Sequence, residues 1–145
     1  MLTVFNIADY FLSLVDTDSG DNISNLKLQK LVYYAQGFHL ALYNEPLFED
    51  QIFAWEHGPV VPDLYHKYKE YGSEAIPMPK NVDFNIYSEK HKDLLDQIYS
   101  VFGQFSAWKL RDMTHQEPPW NTTPIQEEIT HDKLKKYFKT QIEDE

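Results

Sequence analysis

Cysteine is absent from this 145-residue chain. Its absence excludes a disulfide framework, a thiolate zinc cluster and a cysteine nucleophile. It is ordinary for a protein made in a reducing compartment, so the cytoplasm is the expected location. Arginine occurs once, as Arg111, and acidic side chains outnumber basic ones 23 to 13, for a formal charge of −10. Neutralising several phosphates takes a concentrated basic face, so direct nucleic-acid binding is not expected. One locally basic stretch, Lys133, Lys135, Lys136 and Lys139, is followed by Glu143, Asp144 and Glu145 and reads as a solvated helix face. No apolar run approaches the roughly 20 residues needed to span a bilayer. Met1 to Val15, interrupted by Asn6 and Asp9, lacks the basic leader and small-residue cleavage site of a signal peptide. A Gly-rich phosphate loop, a G-x-S-x-G elbow and an H-E-x-x-H pair are all missing as well.

What remains is rich in aromatics. Three Trp, ten Tyr and nine Phe within a 42% hydrophobic composition supply enough apolar surface to offset the entropy of ordering. The length suits one domain over residues 1–145. Helical spacing of Val4, Ile7, Phe11 and Leu14 after Thr3 predicts an opening helix, ended by the polar run Asp16 to Asp21. A longer helix is expected from Ser24 to Tyr43, with Leu28, Leu31, Ala35, Phe38 and Leu42 in one stripe and Tyr34 and Leu40 pointing to burial on further sides. The short apolar runs Leu47-Phe48 and Ile52 to Trp55 predict two strands, and His57-Gly58-Pro59 a turn. Pro62 opens a helix closed by Gly72, and Ser73 to Tyr87 reads as a surface loop. Further helices are expected after Ser88, stopping at Gly103, after Ser106 through Trp108, Leu110 and Met113, and from about His131 to Ile142. Pro118-Pro119 is expected to end helical structure there. The expectation is therefore a mainly α domain of five to six helices with a short two-stranded β element near residues 47–55.

Several residues carry chemistry. Lys27 and Lys30 lie three apart on one face of the long helix, beside Gln29 and Gln36. They either anchor an acidic partner or bond carboxylates and carbonyls within the domain. Trp55, His57, Gly58 and Pro59 mark a strand-to-helix turn that either presents binding residues or only turns the chain around a core tryptophan. Tyr33, Tyr65 and Tyr71 are candidate exposed anchors, each offering large contact area with a polar tip. His39, His57, His115 and Glu117 are the nearest approach to a metal set, but their spacing matches no ligand motif. No cofactor or catalytic residue is expected, although a metal-dependent enzyme assembled from distant residues is the remaining alternative to a binding role.

Two stretches are more specific than any periodicity. Leu26-Lys27-Leu28-Gln29-Lys30-Leu31-Val32-Tyr33-Tyr34-Ala35-Gln36-Gly37-Phe38-His39-Leu40 continues through Pro46-Leu47-Phe48 to Ala54-Trp55-Glu56-His57-Gly58-Pro59-Val60-Val61-Pro62 and Leu64-Tyr65. Near the other end stands Thr114-His115-Gln116-Glu117-Pro118-Pro119-Trp120. Together they resemble the Panacea domain of SocA-like antitoxins and phage-associated GepA-like proteins. The resemblance implies a non-enzymatic module that neutralises a cognate toxin by direct contact. A related role is that of an adaptor delivering the toxin to a host protease. It leaves the toxin's identity and the formation of a homodimer open, and residues 73–87 carry no family signature.

Overall fold

The computed structural model describes residues 1–142, so the acidic end at residues 143–145 lies outside the described residues. Thr3 caps the first helix, α1 (Val4–Ser13): its hydroxyl accepts from the Asn6 N–H, and the Asn6 side chain accepts from the Thr3 N–H in return. After a single 3-10 turn at Thr17–Ser19, Ser24 caps the long helix α2 (Asn25–Tyr43), which ends at Asn44 in the left-handed conformation. α2 is the axis of the molecule. It packs against α1 and, among the later helices, mainly against α4 (Glu89–Phe102), α5 (Ala107–His115) and α7 (His131–Lys139). Being covered on several sides, α2 buries Lys27, Gln29, Lys30, Gln36 and His39 along with its leucines and tyrosines.

Between α2 and α4 lie the strands β1 (Ile52–Trp55) and β2 (Gly58–Val60) and the helix α3 (Pro62–Tyr68), with Pro62 in its first turn. A third strand, β3 (Glu128–Ile129), pairs with the other side of β1, giving an antiparallel sheet in the order β2-β1-β3. The sheet therefore differs from the two strands expected over residues 47–55. Leu47 and Phe48 form no strand because the Gln36 side chain takes over their backbone. Its Oε1 accepts from the Leu47 N–H at 2.7 Å and its Nε2 donates to the Phe48 carbonyl at 2.8 Å. Strand β2 takes in Gly58 and Pro59, leaving Glu56-His57 as the turn. Its open edge is covered by α2: the Val61 N–H donates to Gln29 Oε1 at 2.9 Å, and Lys30 Nζ donates to the Pro59 carbonyl at 3.4 Å.

The architecture is mainly α, with seven α-helices among the described residues rather than five or six. The extra one is α6 (Pro118–Asn121), whose two prolines occupy its first turn. A first-turn N–H has no partner within the helix, so proline starts this helix instead of forbidding it. The last helix stops short of Ile142, closing at Thr140. The long stretch from Ser73 to Tyr87 is irregular except for a 3-10 turn at Phe84–Ile86. It is pinned by the Ile76 N–H to the Ile23 carbonyl at 2.9 Å and by the Tyr87 hydroxyl to the Asn6 carbonyl at 2.7 Å. No helix among the described residues is long and apolar enough to cross a membrane.

Where α2 crosses α7, Gly37 lets the ring of Phe138 lie against the helix backbone, and a Cβ built there would come within 2.2 Å of that ring. Phe138 also packs edge-on against Tyr33 at 5.5 Å and Tyr34 at 5.9 Å. Alanine in place of a helical glycine ordinarily stabilises by about 1 kcal/mol. Here overpacking decides the sign, because Phe138 is 1% exposed and held by its neighbours. Gly37→Ala is expected to lower the urea unfolding midpoint with an unchanged slope, a net loss of about 1–3 kcal/mol. A midpoint equal to or above that of the unaltered protein would show that the ring has room to move.

Candidate functional site

Both distinctive stretches contribute to one polar nucleus. From α2 come Lys30, Tyr33 and Tyr34, from the β1–β2 hairpin Gly58 and Pro59, and from the end of α5 Thr114, His115 and Glu117. Gly58 has φ +116°, and a Cβ there would sit 2.6 Å from Lys30 Cε and 3.0 Å from Thr114 Oγ1. Only glycine serves both the backbone angle and the close approach. Lys30 is fully buried, and burial, with the Arg111 charge adding to it, pushes its amine down to about 7. Glu117 accepts from the Tyr33 and Tyr34 hydroxyls, both at 2.8 Å. Those two donors favour the ionised carboxylate, yet burial outweighs them and pushes Glu117 up to about 7. The same burial raises both tyrosines well above their usual value, so they stay protonated as donors.

Around this nucleus the hairpin is fastened to the end of α5. His115 stacks face to face on Trp120 at 3.9 Å, and Trp120 Nε1 donates to the Trp55 carbonyl at 2.8 Å. Burial, with Arg111 and Lys30 nearby, holds His115 below its ordinary value. His39 is engaged elsewhere, its Nδ1 2.7 Å from the Glu45 carbonyl. The four residues weighed as metal ligands therefore do not converge, and among the described residues no three His, Cys, Asp or Glu side chains are placed to hold an ion.

Outside, the hairpin borders a groove of about 460 Å³ between the start of α2 and the end of α3, lined by Trp55, His57, Tyr65, Asn25 and Gln29 among others. Trp55 and Tyr65, each half-buried, meet edge to face at 5.2 Å. His57 stands exposed at the turn and joins the groove to a second feature. Arg111 Nε donates to His57 Nδ1 at 3.2 Å, and its guanidinium lies 4.5 Å from the centre of the Trp108 ring, which is 55% exposed.

The candidates read from the sequence thus separate. Trp55, His57 and Tyr65 share the groove, while Gly58 and Pro59 form its buried support. Lys27 and Lys30 turn inward to the carbonyls of Gly103 and Pro59, the intramolecular role that the sequence left as one of two readings. Tyr33 is not an exposed anchor: it is 0% exposed because its ring faces Phe138 and its hydroxyl reaches Glu117. Tyr71 is half-buried against Tyr68, beside the groove rather than in its lining. Trp108 and Arg111 were missed. Their i, i+3 spacing on a short helix is the available signal, and the sequence reading names Trp108 only as a position of that helix.

A family model described as "Antitoxin SocA-like, Panacea domain" matches residues 28–121, which span α2, the hairpin, α3, α4, α5 and α6. The chain is 31% identical over 111 residues to antitoxin SocA of Caulobacter vibrioides, covering 68% of this chain and 58% of that protein. The chain thus spans less than two thirds of the length of this curated relative. No solved structure gives a significant match.

Glu117 makes the nucleus testable by pH. Its folded value of about 7 lies above the ordinary carboxyl value of 4.5, because burial disfavours the charge, so the folded state holds this proton more tightly than the unfolded one. The stability this contributes is complete below about 4.5 and is lost as pH rises through about 7. Glu117→Gln, which mimics the protonated group, is expected to gain on the unaltered protein across that interval by roughly 2–3 kcal/mol. Denaturant unfolding of both proteins at several pH values reads this directly. A difference that stays flat would place the carboxyl in a more polar setting than the one described.

Proposed function

This chain belongs to the antitoxin SocA-like Panacea-domain family, and we propose that it neutralises a cognate toxin by direct contact, through the hairpin face. The observation that carries this reading is the continuity of one surface. Trp108 and Arg111 on α5 lead through His57 into the groove of Trp55 and Tyr65. Trp, Tyr and Arg are the side chains that dominate measured interface energetics, because each combines a large contact area with a polar group that directs docking. Their base is rigid. The hairpin is bonded to α2 through Lys30 and Gln29 and to α6 through Trp120, so these side chains are ordered before a partner arrives and less entropy is lost on association.

The role asks for no chemistry at the site. Lys30 and Glu117, the two groups shifted to about 7, are enclosed and occupied with internal hydrogen bonds. A charge of −10 favours a basic partner through long-range attraction and speeds encounter. The complex would form in the cytoplasm, where the toxin acts, and inhibition would follow from covering the toxin's working surface.

The test is co-expression with the product of the neighbouring open reading frame, which should be toxic alone and harmless with this chain. Trp108→Ala and Tyr65→Ala, both on the outer surface, are expected to weaken binding of the purified partner by about 10–30-fold and to abolish protection. Circular dichroism should show the fold unaltered. Undiminished toxicity with every neighbour would sink the antitoxin reading, and full affinity in both variants would remove the hairpin face from it. A partner whose half-life shortens on co-expression would replace direct inhibition by delivery to a protease.

A further inference from the structure

The end of α2 away from the hairpin holds a second group of polar side chains. His39 lies near the end of that helix, about 15 Å further along its axis than Gln29 at a rise of about 1.5 Å per residue. His91 lies in the first turn of α4, where its N–H donates to the Ser88 hydroxyl at 3.1 Å. The centroids of the two imidazole rings are 5.5 Å apart. We propose that His39 and His91 together bind a divalent transition-metal ion of the zinc class, with water completing its coordination, and that the ion clips the end of α2 to the start of α4.

An orphaned nitrogen is the first argument. His39 is 2% exposed, and its Nε2 is buried without a hydrogen-bond partner among the described residues. Most buried side-chain polar atoms have a partner, so this exception calls for one. The other ring nitrogen decides its kind. Nδ1 lies 2.7 Å from the Glu45 carbonyl, and a carbonyl only accepts, so the ring proton is on Nδ1 and the lone pair is on Nε2. A carbonyl behind one nitrogen and a lone pair on the other is how a metal-bound imidazole is held.

Spacing is the second argument. At zinc–nitrogen distances of about 2.0–2.1 Å and a tetrahedral angle, two imidazoles sharing an ion have centroids roughly 5–5.5 Å apart. The observed separation falls in that range, so rotation of the rings closes the site without moving either helix. His91 is half-buried, and its ring makes no hydrogen bond among the described residues that would oppose the rotation. No third His, Asp or Glu is in place among those residues, so the other positions go to water and the affinity falls short of that of a closed four-ligand site.

Ligand chemistry then selects the ion. Imidazole suits zinc, copper and nickel, whereas magnesium and calcium take oxygen ligands. Burial above all pushes both imidazoles below their ordinary value, which keeps them in the neutral, ligating form at neutral pH. Lys90 and Glu45 are charged side chains that act on both rings, and they carry opposite signs. The site therefore recognises its ion through nitrogen lone pairs rather than through a general pull on cations.

Calorimetric titration of zinc chloride into the metal-free full chain, in a non-chelating buffer at neutral pH, tests this. We expect saturation at one ion per chain, no binding heat from magnesium, and affinity at least about tenfold lower in His91→Gln and in His39→Gln. His66→Gln, which alters an exposed histidine of α3, should bind as the unaltered chain does. Ring-nitrogen resonances of His39 and His91 should move with zinc while those of His66 stay in place, a readout that needs no substitution at the buried position. Absence of saturable binding, unchanged affinity in His91→Gln, an equal loss in His66→Gln, or unmoved His39 resonances would each overturn the proposal. An equal response to magnesium would overturn it too, leaving general cation attraction by an acidic chain.

Discussion

A helix covered on several sides must still find hydrogen-bond partners for the polar side chains it buries, and this constraint organises the molecule. α2 carries Lys27, Gln29, Lys30, Gln36 and His39 inside the protein. Leaving any of these unpaired would cost on the order of 1–3 kcal/mol, more for a charge. Each makes at least one bond, and together they reach four separate pieces of chain, with Nε2 of His39 left without a partner among the described residues. Lys27 holds the end of α4, Gln29 and Lys30 hold the edge of β2, Gln36 holds Leu47 and Phe48, and His39 holds Glu45. The helix acts as a template that takes the place of a sheet neighbour.

The proposed binding surface follows from this arrangement. A three-stranded sheet this small has little stability of its own, and its outer strand contains a proline that gives no N–H. What holds it is the buried side of α2 together with Trp120 from α6. The side chains outside, those of Trp55, His57 and Tyr65, inherit that rigidity from the backbone that carries them. Exposed residues of the groove and the residues that support them are neighbours in sequence but face opposite ways, as His57 and Gly58 do.

Much of the helical framework was legible because its signals are local. Thr3, Ser24, Ser88 and Ser106 each cap the helix that they precede, and the apolar spacing after them needs no knowledge of the fold. The strand at residues 47–48 was misread for a nonlocal reason, since a glutamine eleven residues upstream in Leu47's case competes for its backbone. β3 is two residues long and pairs across most of the chain, so it carries no period of its own. The polar nucleus was half visible: its residue types stood out, but their inward direction did not.

By itself the sequence determined the class, the starts of the side-chain-capped helices, the family resemblance and the absence of any local catalytic or metal motif, because composition, capping and spacing are properties of neighbouring residues. Tertiary structure alone decided which aromatics are surface and which are core. Tyr33 and Tyr65 are the same residue type, both on helices, yet one is enclosed by Phe138 and Glu117 while the other borders open space. Burial depends on what arrives from distant parts of the chain, and no local pattern encodes that arrival.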